Sequence, residues 1–138
     1  MIDPNDPKGA HALERLATDK IGWLTSVTQA GQPQTMPVWF MWEDGEVLVY
    51  SQKDARRNDN IRANAKVSFH LNDDGVGGDV VSLDGEARFD SAAPAGKDHP
   101  AYLEKYGRWL DEYGWTPEYF SDHYPDAIRI RPTRVRLA

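Results

Sequence analysis

Gln34-Thr35-Met36-Pro37-Val38-Trp39-Phe40-Met41-Trp42, then Glu43-Asp44-Gly45-Glu46, then Val47-Leu48-Val49-Tyr50-Ser51-Gln52, is the passage in which the fold is most legible. Its two outer segments are rich in aromatic and β-branched residues, the side chains that fit a pleated surface. Asp44-Gly45 between them is a strong hairpin signal, because a tight two-residue turn needs positive φ. The passage therefore reads as two antiparallel strands, 34–42 and 47–52. Residues 35–42 are apolar on both strand faces, so one face is expected to pack in the core and the other against a second layer or subunit.

Upstream, Ile21–Thr28 reads as a strand joined to 34–42 by the turn Ala30-Gly31-Gln32-Pro33. Leu13, Leu16, Ala17 and Lys20 recur at helical spacing and predict a short helix over 10–19, with residues 1–9 an Asp-Pro leader outside it. Downstream, a helix is expected over 55–63 with Asp54 as N-cap and Asn64 in the left-handed position at its end. Lys66–Leu71 alternates, a polar glycine-rich loop follows over 72–79, and Val80–Phe89 reads as a long strand with a bulge at Asp84-Gly85. Pro100 is placed to open a helix whose stripe is Tyr102, Leu103, Tyr106, Leu110 and Tyr113, ended by Gly114. Thr116-Pro117 starts another helix to about Tyr124, and two short strands, 127–131 and 134–137, close the chain. Strict βαβ alternation is missing, so the expected class is α+β, mainly β, an antiparallel barrel of six to seven strands with covering helices.

The 138 residues fit a single domain, 1–138, and leave no room for a second catalytic one. With no cysteine, disulfides and thiolate metal sites are excluded. The four histidines, His11, His70, His99 and His123, lack metal-ligand spacing and read as surface or satisfied polar residues. Residues 1–7 have neither a basic region nor an apolar run, and no later stretch reaches the ~18 apolar residues of a membrane span, so a cytoplasmic protein is expected. A net charge of −6 disfavours nucleic acid and anionic membranes as partners. Within that average, residues 53–66 carry +3, a local charge suited to a small anion. The arginines at 129, 131, 134 and 136 are expected on the solvent face of edge strands, where charge discourages aggregation.

Two stretches carry the candidate chemistry. In Tyr50-Ser51-Gln52-Lys53-Asp54-Ala55-Arg56-Arg57-Asn58-Asp59-Asn60 a strand ends and a helix begins, so free backbone N–H groups and the positive helix end face one corner. Lys53 and Arg57 add full charges, and Asn60 shares a helix face with Arg57. These residues form either a phosphate site or a solvated helix face held by i,i+4 pairs. In the second stretch, a break at Pro37 would free the backbone of Val38 and Trp39 to meet the polar edge of a ring system. Alternation places Val38 opposite Pro37 and Trp39; Phe40 and Trp42 read as core or interface.

The same residues carry a resemblance over about 12–137. Ile21-Gly22-Trp23-Leu24-Thr25-Ser26-Val27, Gly31-Gln32-Pro33, Pro37-Val38-Trp39-Phe40, Tyr50-Ser51-Gln52, Asn60-Ile61-Arg62-Ala63-Asn64 and Gly77-Gly78-Asp79, in this order, resemble the pyridoxamine-phosphate-oxidase-like superfamily. More narrowly, the chain is similar to the B group of flavin/deazaflavin oxidoreductases, described as probable F420-dependent enzymes. The resemblance implies a split β-barrel of the FMN-binding-protein type, a homodimer with cofactor in two interfacial grooves, and hydride transfer between coenzyme F420 and a small organic substrate. FMN, in a flavoprotein or oxidase, and a non-catalytic F420 carrier are the alternatives. By position it assigns the cofactor phosphate to Arg57 and Asn60 with Lys53 and Arg56 as helpers. Ser51 and Gln52 fall beside the ribityl chain, and Pro37, Val38 and Trp39 beside the ring. Glycines 77 and 78 stand where some relatives carry a tryptophan reaching into the partner's site. Tyr50, Tyr102 and Tyr106 are the candidate proton donors.

Overall fold

In the computed structural model, which describes residues 1–138, helix α1 (Pro7–Thr18) precedes a hairpin of β1 (Gly22–Val27) and β2 (Pro33–Val38). Strands β3 (Met41–Glu43) and β4 (Glu46–Ser51), helix α2 (Arg56–Ala63), β5 (Lys66–Leu71) and β6 (Val81–Phe89) follow. Helices α3 (Pro100–Tyr113) and α4 (Pro117–His123) and strand β7 (Asp126–Leu137) complete the chain. All seven strands join in one antiparallel sheet, ordered β2-β1-β5-β6-β7-β4-β3, which curls into an α+β split barrel. Asp44 and Gly45 take φ of 55° and 74°, as the expected hairpin turn requires.

The expected strand 34–42 is two strands. The ladder with β1 runs through Pro37 and stops at Val38. Proline is tolerated there because β2 is an edge strand, where a missing N–H costs no ladder bond. The backbone between β2 and β3 finds partners on α3 instead: the Tyr106 hydroxyl accepts from the Phe40 N–H at 2.8 Å and donates to the Phe40 carbonyl at 2.9 Å. Lys105 Nζ donates to the same carbonyl at 2.9 Å. A buried backbone leaving a ladder must be satisfied elsewhere, and here one helix does it.

Two apolar clusters meet at β4. Val47 and Val49 face the barrel interior with Leu16, Phe40, Phe69, Leu83, Ile128 and Ile130, while Leu48 and Tyr50 face Tyr102, Tyr106, Leu110 and Phe120 beneath α3 and α4. Burial on both faces explains why 47–50 is continuously apolar rather than alternating. Val67, Phe69 and Leu71 are buried as the alternation of β5 predicts.

Several boundaries differ from expectation. Helix α1 starts at Pro7, inside the expected leader, and Ile2 packs on the barrel core; a Cβ on Gly9 would lie 2.0 Å from the Asp3 carbonyl oxygen, so this close approach needs glycine. Asp54 does not cap α2. The N-cap is Ala55, because the turn closes through the Ala55 N–H to the Gln52 carbonyl at 3.1 Å, leaving Asp54 exposed. Asn64 is extended (φ −148°) rather than left-handed, and its carboxamide oxygen accepts from the Lys66 N–H to start β5.

The two expected C-terminal strands are one, β7, and it is interior, between β6 and β4. The apparent break falls at the bulge: Asp84 pairs with Arg134 and Gly85 with Pro132, so Thr133 is the extra residue. A Cβ on Gly85 would lie 2.7 Å from Ile130 Cγ2, which is why a glycine stands there. The arginines are thus not edge guards. Arg129 joins Glu43 and Asp90, Arg131 joins Glu86, and Arg136 joins Asp84 across the sheet.

Candidate functional site

Where β2 leaves the ladder, a groove of about 520 Å³ opens between the barrel and the helical cap. One wall is Met36, Pro37, Val38 and Trp39 at the end of β2. The cap adds Tyr113 at the end of α3, Trp115, and Phe120 and Tyr124 from α4 and its end, with Phe120 lying against Trp39. Tyr50 and Tyr102 form the floor, and Gln52 and Arg57 close one end. No carboxylate lines it. Because the chain departs from strand geometry after Val38, Pro37, Val38 and Trp39 all reach the groove despite their alternation. The Trp39 ring stacks on Tyr106, with centroids 4.7 Å apart and planes within 2°, and also lies parallel to Phe120 at 5.9 Å.

The strand-to-helix corner is built around Asn58, which is wholly buried. Its Oδ1 accepts from the Ser51 hydroxyl at 2.8 Å. Its Nδ2 donates to the Gln52 and Lys53 carbonyls, at 2.9 and 3.3 Å, and to Asp126 Oδ2 at 3.1 Å. Sequence reasoning passed over Asn58, since a lone asparagine inside a polar helix gives no signal of burial. This clamp fixes the turn from which Arg57 projects. Arg57 is half-buried, donates to Ser51 Oγ at 3.2 Å, and has no carboxylate partner. Burial lowers its pKa from the ordinary guanidinium value, with the nearby Tyr124 opposing that shift. No side chain caps the first turn of α2.

Six of the ten residues singled out from sequence therefore meet in one groove: Pro37, Val38, Trp39, Tyr50, Gln52 and Arg57. The other four do not line it. Ser51 is buried behind the corner, Lys53 and Arg56 are exposed outside the groove, and Asn60 turns its Nδ2 to Ser26 Oγ (3.0 Å) and Gln34 Oε1 (2.9 Å). The cap wall, from Tyr113 to Tyr124, went unrecognised because aromatic residues at helical spacing read as core. Of the candidate proton donors, Tyr50 gives its hydroxyl proton to the Pro94 carbonyl (2.6 Å), and Tyr106 shares its own between the Lys20 and Phe40 carbonyls.

A curled antiparallel sheet with a helical cap over an aromatic groove defines the split-barrel class. The pyridoxamine 5'-phosphate oxidase family model matches residues 9–138, and the chain belongs to that family. Among solved structures, a conserved hypothetical protein from Mycobacterium tuberculosis shares 24% identity over 92% of this chain and 81% of its own, with a TM-score of 0.73. An F420 reductase shares 20% identity over 89% and 94%, with a TM-score of 0.63. HutZ, the heme storage protein from Vibrio cholerae, shares 16% identity over 93% and 92%, with a TM-score of 0.66. No curated protein matches the sequence. No helix is long and apolar enough to cross a membrane.

Proposed function

We propose that the groove holds a phosphorylated flavin-type cofactor, coenzyme F420, and that the protein transfers a hydride between it and a small organic substrate. The observation that carries this reading is Arg57, a half-buried guanidinium without a carboxylate partner at the end of an aromatic groove. An unpaired cation there is costly unless it meets an anion, and flat aromatic walls suit a fused ring. The residues fit such a group: aromatic walls for the rings, the Arg57 guanidinium and the uncapped α2 N-terminus for a phosphate. When bound, the deazaflavin would supply the hydride chemistry; the chain's own part is to orient it and exclude water.

FMN is the second reading, favoured by the single cation inside the groove, which is what one phosphate needs. Lys53 and Arg56 lie exposed around the same corner and continue the positive charge outward, the path a longer polyanionic tail would take. That extension favours F420. A heme would ask first for an imidazole or thiolate ligand; none of the four histidines lines the groove and the chain has no cysteine.

Separate titrations with F420, FMN and heme, followed by absorbance and tryptophan emission, test the choice. F420 should bind tightest, with affinity falling more steeply with salt than that of FMN. Trp39→Phe should remove part of the tryptophan quenching on binding. FMN or heme binding tighter than F420 would overturn the cofactor assignment. Oxidation of reduced F420 by an unsaturated acceptor, faster with protein than without, separates an enzyme from a carrier.

The working unit in this reading is a homodimer. Strand β2 has β1 as its only neighbour and leaves Pro33, Thr35, Met36 and Pro37 exposed, Met36 by 55%. Met36 and Pro37 also line the groove, so a second copy seated on β2 would close the groove as it covers the edge. Sedimentation at low micromolar concentration should give a dimer; a monomer under those conditions would refute the shared site.

A further inference from the structure

The floor of the groove contains a hydroxyl that the fold does not use. Tyr102 is 1% exposed, and its ring is locked among Tyr50 (4.9 Å, edge on), Tyr106 (4.9 Å) and Phe120 (5.5 Å). Its main chain is fixed too, the Tyr102 N–H donating to His99 Nδ1 at the start of α3. The neighbouring hydroxyls are committed, Tyr50 to the Pro94 carbonyl and Tyr106 to Lys20 and Phe40. The Tyr102 hydroxyl has no such protein partner. Since no fully buried side-chain oxygen or nitrogen lacks a partner, this unpaired oxygen must reach the open space of the groove that Tyr102 lines.

We propose that the Tyr102 hydroxyl donates a hydrogen bond to an acceptor atom, a carbonyl oxygen or ring nitrogen, of the ligand lying against Trp39. The assignment rests on the cofactor reading of the groove and selects Tyr102 from the three tyrosines. Burial pushes its pKa well above the ordinary tyrosine value, so the hydroxyl stays protonated and offers its hydrogen. With Arg57 and the Gln52 amide it completes a lining that has donors but no carboxylate, so the floor selects rings bearing acceptors. Holding a rigid donor in an apolar setting makes a ring that lacks the acceptor bind poorly, because the hydroxyl would then be desolvated without compensation.

Tyr102→Phe distinguishes a hydroxyl reserved for ligand from one that holds the fold. Without ligand, the variant should melt at or slightly above the wild-type temperature, since it removes an unpartnered polar atom from an apolar site. Tyr106→Phe should instead lower the melting temperature, because its hydroxyl clamps Phe40. Titrated with F420 and with FMN, Tyr102→Phe should bind the tighter wild-type ligand about 10-fold more weakly and move its absorption maximum relative to the wild-type complex. If wild type binds one of these cofactors and Tyr102→Phe matches it in affinity and spectrum, the inference falls while the cofactor reading stands. If the variant without ligand is destabilised like Tyr106→Phe, the hydroxyl has a structural partner and the inference also falls. Binding of neither cofactor by wild type would overturn the cofactor reading and the inference with it.

Discussion

Replacing Arg57 with alanine is expected to weaken cofactor binding by about 10-fold to 150-fold, the loss of one hydrogen bond to a charged group. Arg57 is the one cation lining the groove, and no carboxylate competes for it. Isothermal or fluorescence titration of F420 and FMN reads the effect directly. Without ligand the variant should be at least as stable as wild type, since it removes a half-buried guanidinium whose only partner is a hydroxyl. Arg62→Ala is the control: its guanidinium lies over the Phe89 ring, 4.5 Å from the centroid, and does not line the groove. Equal affinity of Arg57→Ala and wild type would show that the phosphate lies elsewhere.

The largest effect on stability is expected at Arg129. Its side chain is 14% exposed and binds Glu43 at 2.8 Å and Asp90 at 2.7 Å, while His99 Nε2 meets the other Glu43 oxygen at 2.9 Å. Because His99 Nδ1 accepts from the Tyr102 N–H, the ring hydrogen sits on Nε2 and donates to Glu43. Burial alone would raise the Glu43 carboxyl, but the hydrogen bonds from Arg129 and then His99 outweigh it and leave it below the usual carboxylate range. Asp90 is lowered chiefly by Arg129. Arg129→Met should cost about 2 to 3 kcal/mol and about 10 °C of melting temperature. In the wild type, carboxyls that titrate lower when folded contribute fully above the unfolded value of about 4, and that contribution is lost as pH falls through the folded values. The deficit of Arg129→Met relative to wild type should therefore shrink as pH drops below about 4. A deficit independent of pH would mean that packing, rather than charge, is what Arg129 supplies. Arg136→Met, which breaks a pair about half exposed on both sides, should leave melting nearly unchanged.

Local signals in the sequence read well wherever one physical requirement dominated. Asp44-Gly45 had to turn, Val67-Phe69-Leu71 had to face inward, and Tyr102, Tyr106 and Leu110 had to form a stripe. The errors fall where long-range partners decide. Residues 34–42 look like one strand because nothing local says that Tyr106, 66 positions away, will take over the backbone of Phe40. The break at 132–133 looks like a strand end because a bulge in one strand cannot be told from a gap without its neighbour. For the groove, the place of Arg57 was legible from charge; Pro37, Val38 and Trp39 line it too, but not through a break at Pro37, since the ladder runs through that proline and ends at Val38. The cap wall was not legible, since Trp115, Phe120 and Tyr124 carry no mark that distinguishes a groove lining from a core. Spacing placed Asn60 on one face of α2 with Arg57, and only the packing of α2 against β1 and β2 shows that its amide turns to Ser26 and Gln34.

The division between a barrel and a cap bears on how such a sequence can drift. None of the residues in the barrel's own apolar cluster comes from α3 or α4. Those helices and the residues just after each nonetheless supply the cap side of the groove. Exchanges at Tyr113, Trp115 or Tyr124 would reshape the groove without opening a void in the barrel, their cost falling instead on the cap's own apolar cluster, against which Trp115 and Tyr124 pack. Tyr106 is the exception, because its hydroxyl tethers the cap to the strand break that carries Trp39. Descendants of this chain are therefore free to diversify along the outer cap while that one tyrosine, and the backbone it grips, resists change.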